Sequence, residues 1–378
     1  YTTQLMQIPQ GWSGISSYLS PAQTQVNDLL EPLGSNLIIL QDMTNVYWPE
    51  QNINTIGNWN THNGYKIKLS NNATLQFLGS LEENKTLSLP QGWSLIPVIS
   101  DCQVSCEELF GSYNQVFLVK DVAATDVFWP AQNIQTLEKL IPGKAYYIYN
   151  SSPLTITFPS CSKTQSITLE NQKVIKTQWE MVAPTGNSHV ISVPASAIQD
   201  FAVGDQIGVF TPADLCAGCL QIDDLTTNKA LVVFANDSLT SAIDGFVNNE
   251  PFKFKLFKNS SGKEYNLIAT FDNSLPDYNV FVDEGISGLT KLIIDNTGID
   301  MPKNITGVYP NPSKGNVVVK IKNGSNAILR ILNLSGQCVL MQNIDKEAVI
   351  NASSLTKGVY TFQFKGIDFN ETQKVVIQ

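Results

Sequence analysis

"VYWPEQNINTI" occupies residues 46–56 of the chain, and "VFWPAQNIQTL" occupies residues 127–137. A second pair, "PQGWS" at residues 9–13 and again at 90–94, keeps the same offset of 81 positions. Two independent matches at one offset identify a tandem duplication, which is the first thing to establish in a long chain. The copies span about residues 5–80 and 86–160.

Each copy reads alike. A short strand follows Gly-Trp. Ser20-Pro21 has the form of a helix N-cap followed by proline at the first helical position. Val26, Leu29, Leu30 and Leu33 then recur at helical spacing, which predicts an amphipathic helix. "NLIILQD" and "FLVKD" read as buried strands in the two copies. "GYKIKLS" with "TLQFLG", and "AYYIYN" with "LTITFP", close them. Two α+β units are therefore expected, over residues 1–82 and 83–161.

Trp12, Trp48, Trp93 and Trp129 recur at matching positions. An aromatic retained in both copies serves what the copies share, and both share a core. Framework packing is thus the first expectation, with Trp48 and Trp129 retained as ligand-binding candidates because sugars stack on aromatic faces. Trp59 in "GNWNTHNGY" has no counterpart, since Leu140 stands in its place. It is the expected exposed aromatic, and a better ligand-binding candidate than the paired tryptophans.

From residue 162 to about 300 the pattern changes to short alternating or apolar segments separated by Gly, Pro, Asn and Asp. "HVISVP", "QIGVFT", "ALVVFA", "FKFKLF" and "YNLIATF" predict a β-sandwich-like domain or a small barrel. His62 and His189 are the two histidines of the chain. Neither is accompanied by a Gly-x-Ser-x-Gly elbow, and His189 at the start of a strand reads as a structural hydrogen-bonder. Asp214, Cys216, Cys219, Asp223 and Asp224 lie close together in "TPADLCAGCLQIDD", but their spacing matches no calcium loop. No catalytic residue, cofactor or metal is expected.

Charged residues make up 15% of the chain and the net charge is −9. A sparse, acidic surface argues against nucleic acid and anionic membranes as partners. No apolar run approaches the roughly 18 residues of a membrane helix. No basic and apolar leader opens the chain, so any signal peptide is expected to have been removed, and Tyr1 in place of Cys argues against a lipid anchor.

Six cysteines fall as the close pairs 102/106 and 216/219 plus two singles, a usage that fits an oxidising compartment. Cys216 and Cys219 are expected to form a disulfide across a turn containing Gly218. A second local bridge between Cys102 and Cys106 would use the i, i+4 spacing of a helical turn.

After the linker "DNTGIDMPKNITG" the last 70 or so residues form a dense series of strands from "VVVKI" to "TQKVVIQ". Six to seven strands in that length predict a small Ig-like sandwich over residues 301–378. "YPNPSKG" opens it. Pro310 and Pro312 fix φ and deny two ladder donors, and Gly315 is expected to permit the turn that follows.

Pro310-Asn311-Pro312, Asn333 with Gly336, the Ser-Leu-x-x-Gly-x-Tyr segment containing Gly358 and Tyr360, and the terminal strand with Lys374, Val375 and Val376 keep one order. In that order they resemble the type A C-terminal sorting domain of the Bacteroidetes type IX secretion system. Asn333 departs from the aspartate usual there, although Asn makes much the same turn bond. The resemblance implies an export address read by the outer-membrane translocon and its shuttle protein, and a final location at the cell surface or outside the cell. The final strand is also expected to offer an edge for pairing. The middle region is similar to a module that precedes the last domain in large secreted Bacteroidetes proteins, a likeness that implies no activity.

The expected whole is therefore multidomain and mainly β: two tandem α+β repeat units, a β-sandwich-like middle domain and an Ig-like sorting domain. The expected role is that of an exported, non-enzymatic protein whose repeats bind a glycan or surface polymer, since joined weak sites gain avidity. A hydrolase with an unrecognised site and a structural spacer in a surface assembly are the alternatives.

Overall fold

The structure is a computed structural model, described here over residues 1–161, 177–295, 305–321, 326–333, 336–366 and 370–378. The chain forms two compact units, Tyr1–Asp295 and Asn296–Gln378. Strand dominates both.

The first unit contains two five-stranded sheets of the same order. One runs Gly11–Ile15, Tyr65–Leu69, Leu37–Gln41, Val46–Trp48, Ile53–Asn54; the other runs Gly92–Pro97, Ala145–Asn150, Val116–Asp121, Val127–Trp129, Ile134–Gln135. Both carry a register shift at the same place, between Leu37 and Ile39 and between Val116 and Leu118. In each copy a separate pairing accompanies the sheet, Thr2–Ile8 with Ala73–Leu81 and Thr86–Leu89 with Leu154–Thr157.

The duplicated Trp-Pro stretch has a shared backbone explanation. Pro49 and Pro130 each start a one-turn 3-10 helix, for which proline's fixed φ is suited. Asn52 and Asn133 end those turns in the left-handed region, at φ 54° and 52°, where Asn is favoured among non-glycine residues. Thr55 and Thr136 then fold back: the Val46 and Val127 amides each donate to the threonine hydroxyl at 2.8 Å. The motif builds a loop.

The helices are shorter than expected and start later. Leu19–Pro21 is a strand, and the helix runs Val26–Leu30, followed by the 3-10 segment Glu31–Asn36. Ser20 does not cap it, because its hydroxyl bonds the Glu82 carboxylate. Val26, Leu29, Leu30 and Leu33 are nonetheless all buried.

Residues 177–295 form one seven-stranded sheet, in the order Cys216–Gln221, Gln206–Phe210, Lys253–Lys258, Lys263–Phe271, Ile286–Ile294, Ser188–Val193, Lys229–Phe234. The sheet curls until its two outermost strands touch, so this region is barrel-like rather than a pair of stacked sheets. Gly218 lets them meet: a Cβ there would lie 2.4 Å from the Val232 carbonyl oxygen.

This barrel packs on the second repeat copy. Leu118, Val127, Trp129 and Ile134 form one apolar cluster with Val190, Val232, Phe234 and Ile286. Beside it Lys120, fully buried, donates to the Ser188 carbonyl at 2.8 Å and hydroxyl at 2.7 Å and pairs with Glu284.

The cysteines differ from the expectation. Cys102 is bonded to Cys161, 59 positions away, with Cα atoms 6.0 Å apart, and Cys106, Cys216, Cys219 and Cys338 are free. Cys216 and Cys219 lie on an extended strand, where three residues advance about 10 Å, beyond the roughly 7 Å a disulfide spans. Cys106 begins the Cys106–Phe110 helix and points into the core, while Cys102 precedes it, so the two do not share a helical turn.

The second unit is a sandwich of a three-stranded sheet (Ile305–Tyr309, Asn316–Ile321, Glu347–Asn351) and a four-stranded sheet (Cys338–Asp345, Asn326–Leu332, Gly358–Gly366, Asn370–Ile377). Val317, Val319, Leu329, Ile331, Ile350, Phe362, Phe364 and Val375 fill it.

Candidate functional site: the sorting tail and an inter-domain cleft

The opening turn of the tail and its last strand form one structure. Cis peptides precede Pro310 and Pro312. The two non-proline residues of the stretch make the bonds. Asn311 Nδ2 donates to the Lys374 carbonyl at 2.8 Å, and the Val376 amide donates to Asn311 Oδ1 at 2.9 Å. The Ser313 amide donates to the Val376 carbonyl at 2.8 Å, and the Gln378 amide donates to the Ser313 carbonyl at 2.8 Å. Prolines have no N–H to satisfy, so the alternation of proline with a bonding residue suits a strap. The expectation of an open final edge is corrected here: from Lys374 to the C-terminus Asn311 and Ser313 already occupy it.

The other tail residues are structural. The Gln337 amide donates to Asn333 Oδ1 at 2.9 Å, the bond an aspartate would accept, and Gly336 takes φ +77°. Tyr360 is buried and its hydroxyl donates to the Thr356 carbonyl at 2.7 Å, which fixes the loop before its strand. Gly358 pairs with Ile377 and Tyr360 with Val375. Val375 is buried, Val376 half-buried, and Lys374 exposed. Gly315 does not adopt a left-handed backbone, and nothing around it requires glycine.

The three tryptophans expected to meet a ligand lie outside the clefts that Trp12 lines. Trp59 is 4% exposed, stacked 4.1 Å from Tyr65 and edge-on to Phe77 at 4.8 Å. It fills the first copy's core, so the polar stretch around it is a rim over a buried ring. Trp129 is fully buried under the barrel. Trp48, its counterpart, is half-buried.

Two other tryptophans, Trp12 and Trp179, line a cleft of about 830 Å³ between the first copy and the barrel. Trp12 Nε1 donates to Asp237 Oδ2 at 2.7 Å, and Lys68 Nζ meets the same oxygen at 2.7 Å. Burial alone would raise the Asp237 carboxyl, but the bonds from Lys68 and Trp12 outweigh it and hold the group below the usual carboxylate range. Trp179 Nε1 donates to Glu264 Oε2 at 2.7 Å, and its ring stands edge-on to Phe210 at 5.3 Å. Gly208 lies against the indole, where a Cβ would come within 2.9 Å of Cζ3. Trp179 was legible as the one tryptophan outside the repeats, whereas Trp12 was hidden by its pairing with Trp93.

His189 and Ser287 approach as a base and nucleophile would, with Nε2 and Oγ 2.7 Å apart. The wiring is otherwise. Nδ1 accepts the Val282 amide at 3.1 Å, which places the proton on Nε2, and the Ser287 hydroxyl donates to the Tyr278 carbonyl at 2.7 Å. The pair is buried. Burial and the Lys120 charge lower the imidazole to about 3, so it stays neutral. Asp223 and Asp224 are tied to Lys229. Among the described residues no group of three or more His, Cys, Asp or Glu side chains is placed to hold a metal ion. Among them, too, no helix is long and apolar enough to cross a membrane.

Comparison with curated proteins finds no match. Among solved structures the chain is similar to "Biofilm associated protein - BSP domain" at 11% identity and a TM-score of 0.17, over 100% of this chain and 61% of that one. A likeness at that score supports neither fold nor function. Residues 307–378 match the family described as "Secretion system C-terminal sorting domain". The matched stretch contains the strapped terminal strand, the Asn333–Gln337 turn and the Tyr360 corner, so the chain is a cargo of the type IX secretion system, exported across the outer membrane to the cell surface or beyond.

Proposed function

We propose that this cargo is a non-enzymatic binding protein whose first unit engages a glycan or other surface polymer outside the cell, while its tail docks on the outer-membrane translocon and shuttle. The cleft between Trp12 and Trp179 supports the binding reading, because both indoles are fixed by carboxylates in a concavity of small-ligand size, roughly 300–1,000 Å³. The wiring of His189 and Ser287 supports a role without acyl transfer. Incubating the purified full chain with a panel of polysaccharides, and measuring both retention and release of reducing ends, tests this. Retention without cleavage is expected. Cleavage of any member, or retention of none, rejects the proposal.

A further inference from the structure

We infer that the ligand of the Trp12–Trp179 cleft is an uncharged sugar chain, seated with a pyranose face on Trp179; this rests on the binding function proposed above. The indole N–H of Trp179 is committed to Glu264, one part of its ring lies against Gly208, and Phe210 and Phe257 stand edge-on to it at 5.3 and 6.4 Å. What it offers the cleft is a fixed π surface. Such a surface takes the polarised C–H face of a sugar ring.

Charge narrows the class from both sides. Glu180, Asp214, Asp237 and Asp244 line the cleft, and the lining cation Lys68 is bound to Asp237. At the Phe210 end Lys255 is matched by Glu264 at 3.1 Å, and Lys253 by Asp214 at 3.6 Å. An anionic chain would therefore meet carboxylates and spoken-for lysines. A cationic chain is disfavoured too, because the protein's own ammonium groups already occupy the Trp12 and Phe210 faces. Lys66 and Lys68 lie 5.6 and 5.9 Å from the Trp12 ring, and Lys255 lies 4.3 Å from Phe210. Hydroxyl groups avoid both conflicts. They can donate to Asp214, whose side chain is 63% exposed, and to the remaining lone pairs of Asp244, which already accepts from Thr240 and the Asp237 amide at 2.8 Å each. Ile243, 65% exposed at the cleft wall, supplies further apolar contact.

The test titrates the full chain with a β-glucan, a mannan and dextran as neutral probes, and with alginate and polylysine as charged ones, following tryptophan fluorescence and affinity electrophoresis. At least one neutral probe is expected to bind, and Trp179→Ala to weaken it at least about tenfold. Ile243→Arg, on an exposed side chain, is expected to weaken it similarly while leaving the thermal midpoint unchanged, so a misfolded Trp179→Ala does not blunt the test. Neutral binding that survives Ile243→Arg overturns the assignment of the site. Binding of alginate or polylysine alone overturns the ligand class and leaves the broader binding function standing. Binding of none rejects both.

Discussion

The side chain of Asn311 serves Val376 as a strand partner. It accepts the Val376 amide at 2.9 Å and donates to the Lys374 carbonyl at 2.8 Å, covering the C-terminal half of the last strand's outer edge. Asn311→Ala should remove both bonds, at about 1–2 kcal/mol. Hydrogen exchange of the Val376 amide reads this directly. Faster exchange is expected in the alanine variant, with Asn311→Asp intermediate because it keeps the acceptor and loses the donor. Unchanged exchange would show that the strap does not hold the strand.

The same geometry bears on export. Removing residues 374–378 takes away the strand partners of the Asn311 side chain and the Ser313 backbone and should leave folded protein in the periplasm. A foreign folded protein carrying residues 303–378 should reach the outside. Immunoblots of periplasm and medium measure both. Normal secretion of the shortened chain would be incompatible with a role for the strapped strand.

The free thiols are countable. Alkylation of the denatured chain without reductant should modify Cys106, Cys216, Cys219 and Cys338 and spare Cys102 and Cys161. Replacing Cys102 and Cys161 with serine should lower stability by about 4 kcal/mol, the chain-entropy value for a loop of this length. Mass spectrometry and denaturant midpoints check the two statements.

Lys120 and the carboxylate oxygens of Glu284 are buried, and desolvation pushes both groups toward their neutral forms, against their mutual attraction. Lys120→Met strands the carboxylate and should cost about 3–5 kcal/mol, whereas Lys120→Met with Glu284→Gln should cost clearly less. A double-mutant cycle on urea unfolding decides this. Equal losses would mean that the pair does not couple barrel and repeat.

His189 predicts a pH dependence. Its folded-state value of about 3 lies below the unfolded value of about 6.5, so the unfolded chain binds a proton that the folded chain refuses. Stability should therefore fall as pH drops from 6.5 toward 3, by up to about 1.4 kcal/mol per pH unit from this group, and level off below. The stability gap between wild type and His189→Gln should narrow over that window. A constant gap would contradict a neutral buried imidazole.

Much of the tail was legible because its motif residues act locally: Asn333 bonds Gln337 and Tyr360 bonds Thr356, each four positions away. The helix start was misread because Ser20 had two uses available, and the Glu82 carboxylate, 62 positions distant, took it. The cysteine pairing was misread for a related reason. Spacing suggested near neighbours, but strand geometry separates Cys216 from Cys219 while folding brings Cys161 to Cys102.

Sequence alone determined the duplication, the mainly β composition and the sorting tail, because repeats, alternation and turn residues are local patterns that survive without coordinates. Tertiary structure decided which tryptophans see solvent, which cysteines bond and which strand edge is covered. Each of those depends on segments far apart in the chain: Trp12 on Asp237, Cys102 on Cys161, Asn311 on Val376. Burial and hydrogen bonding between such segments are properties of the packed chain, and no local pattern encodes them.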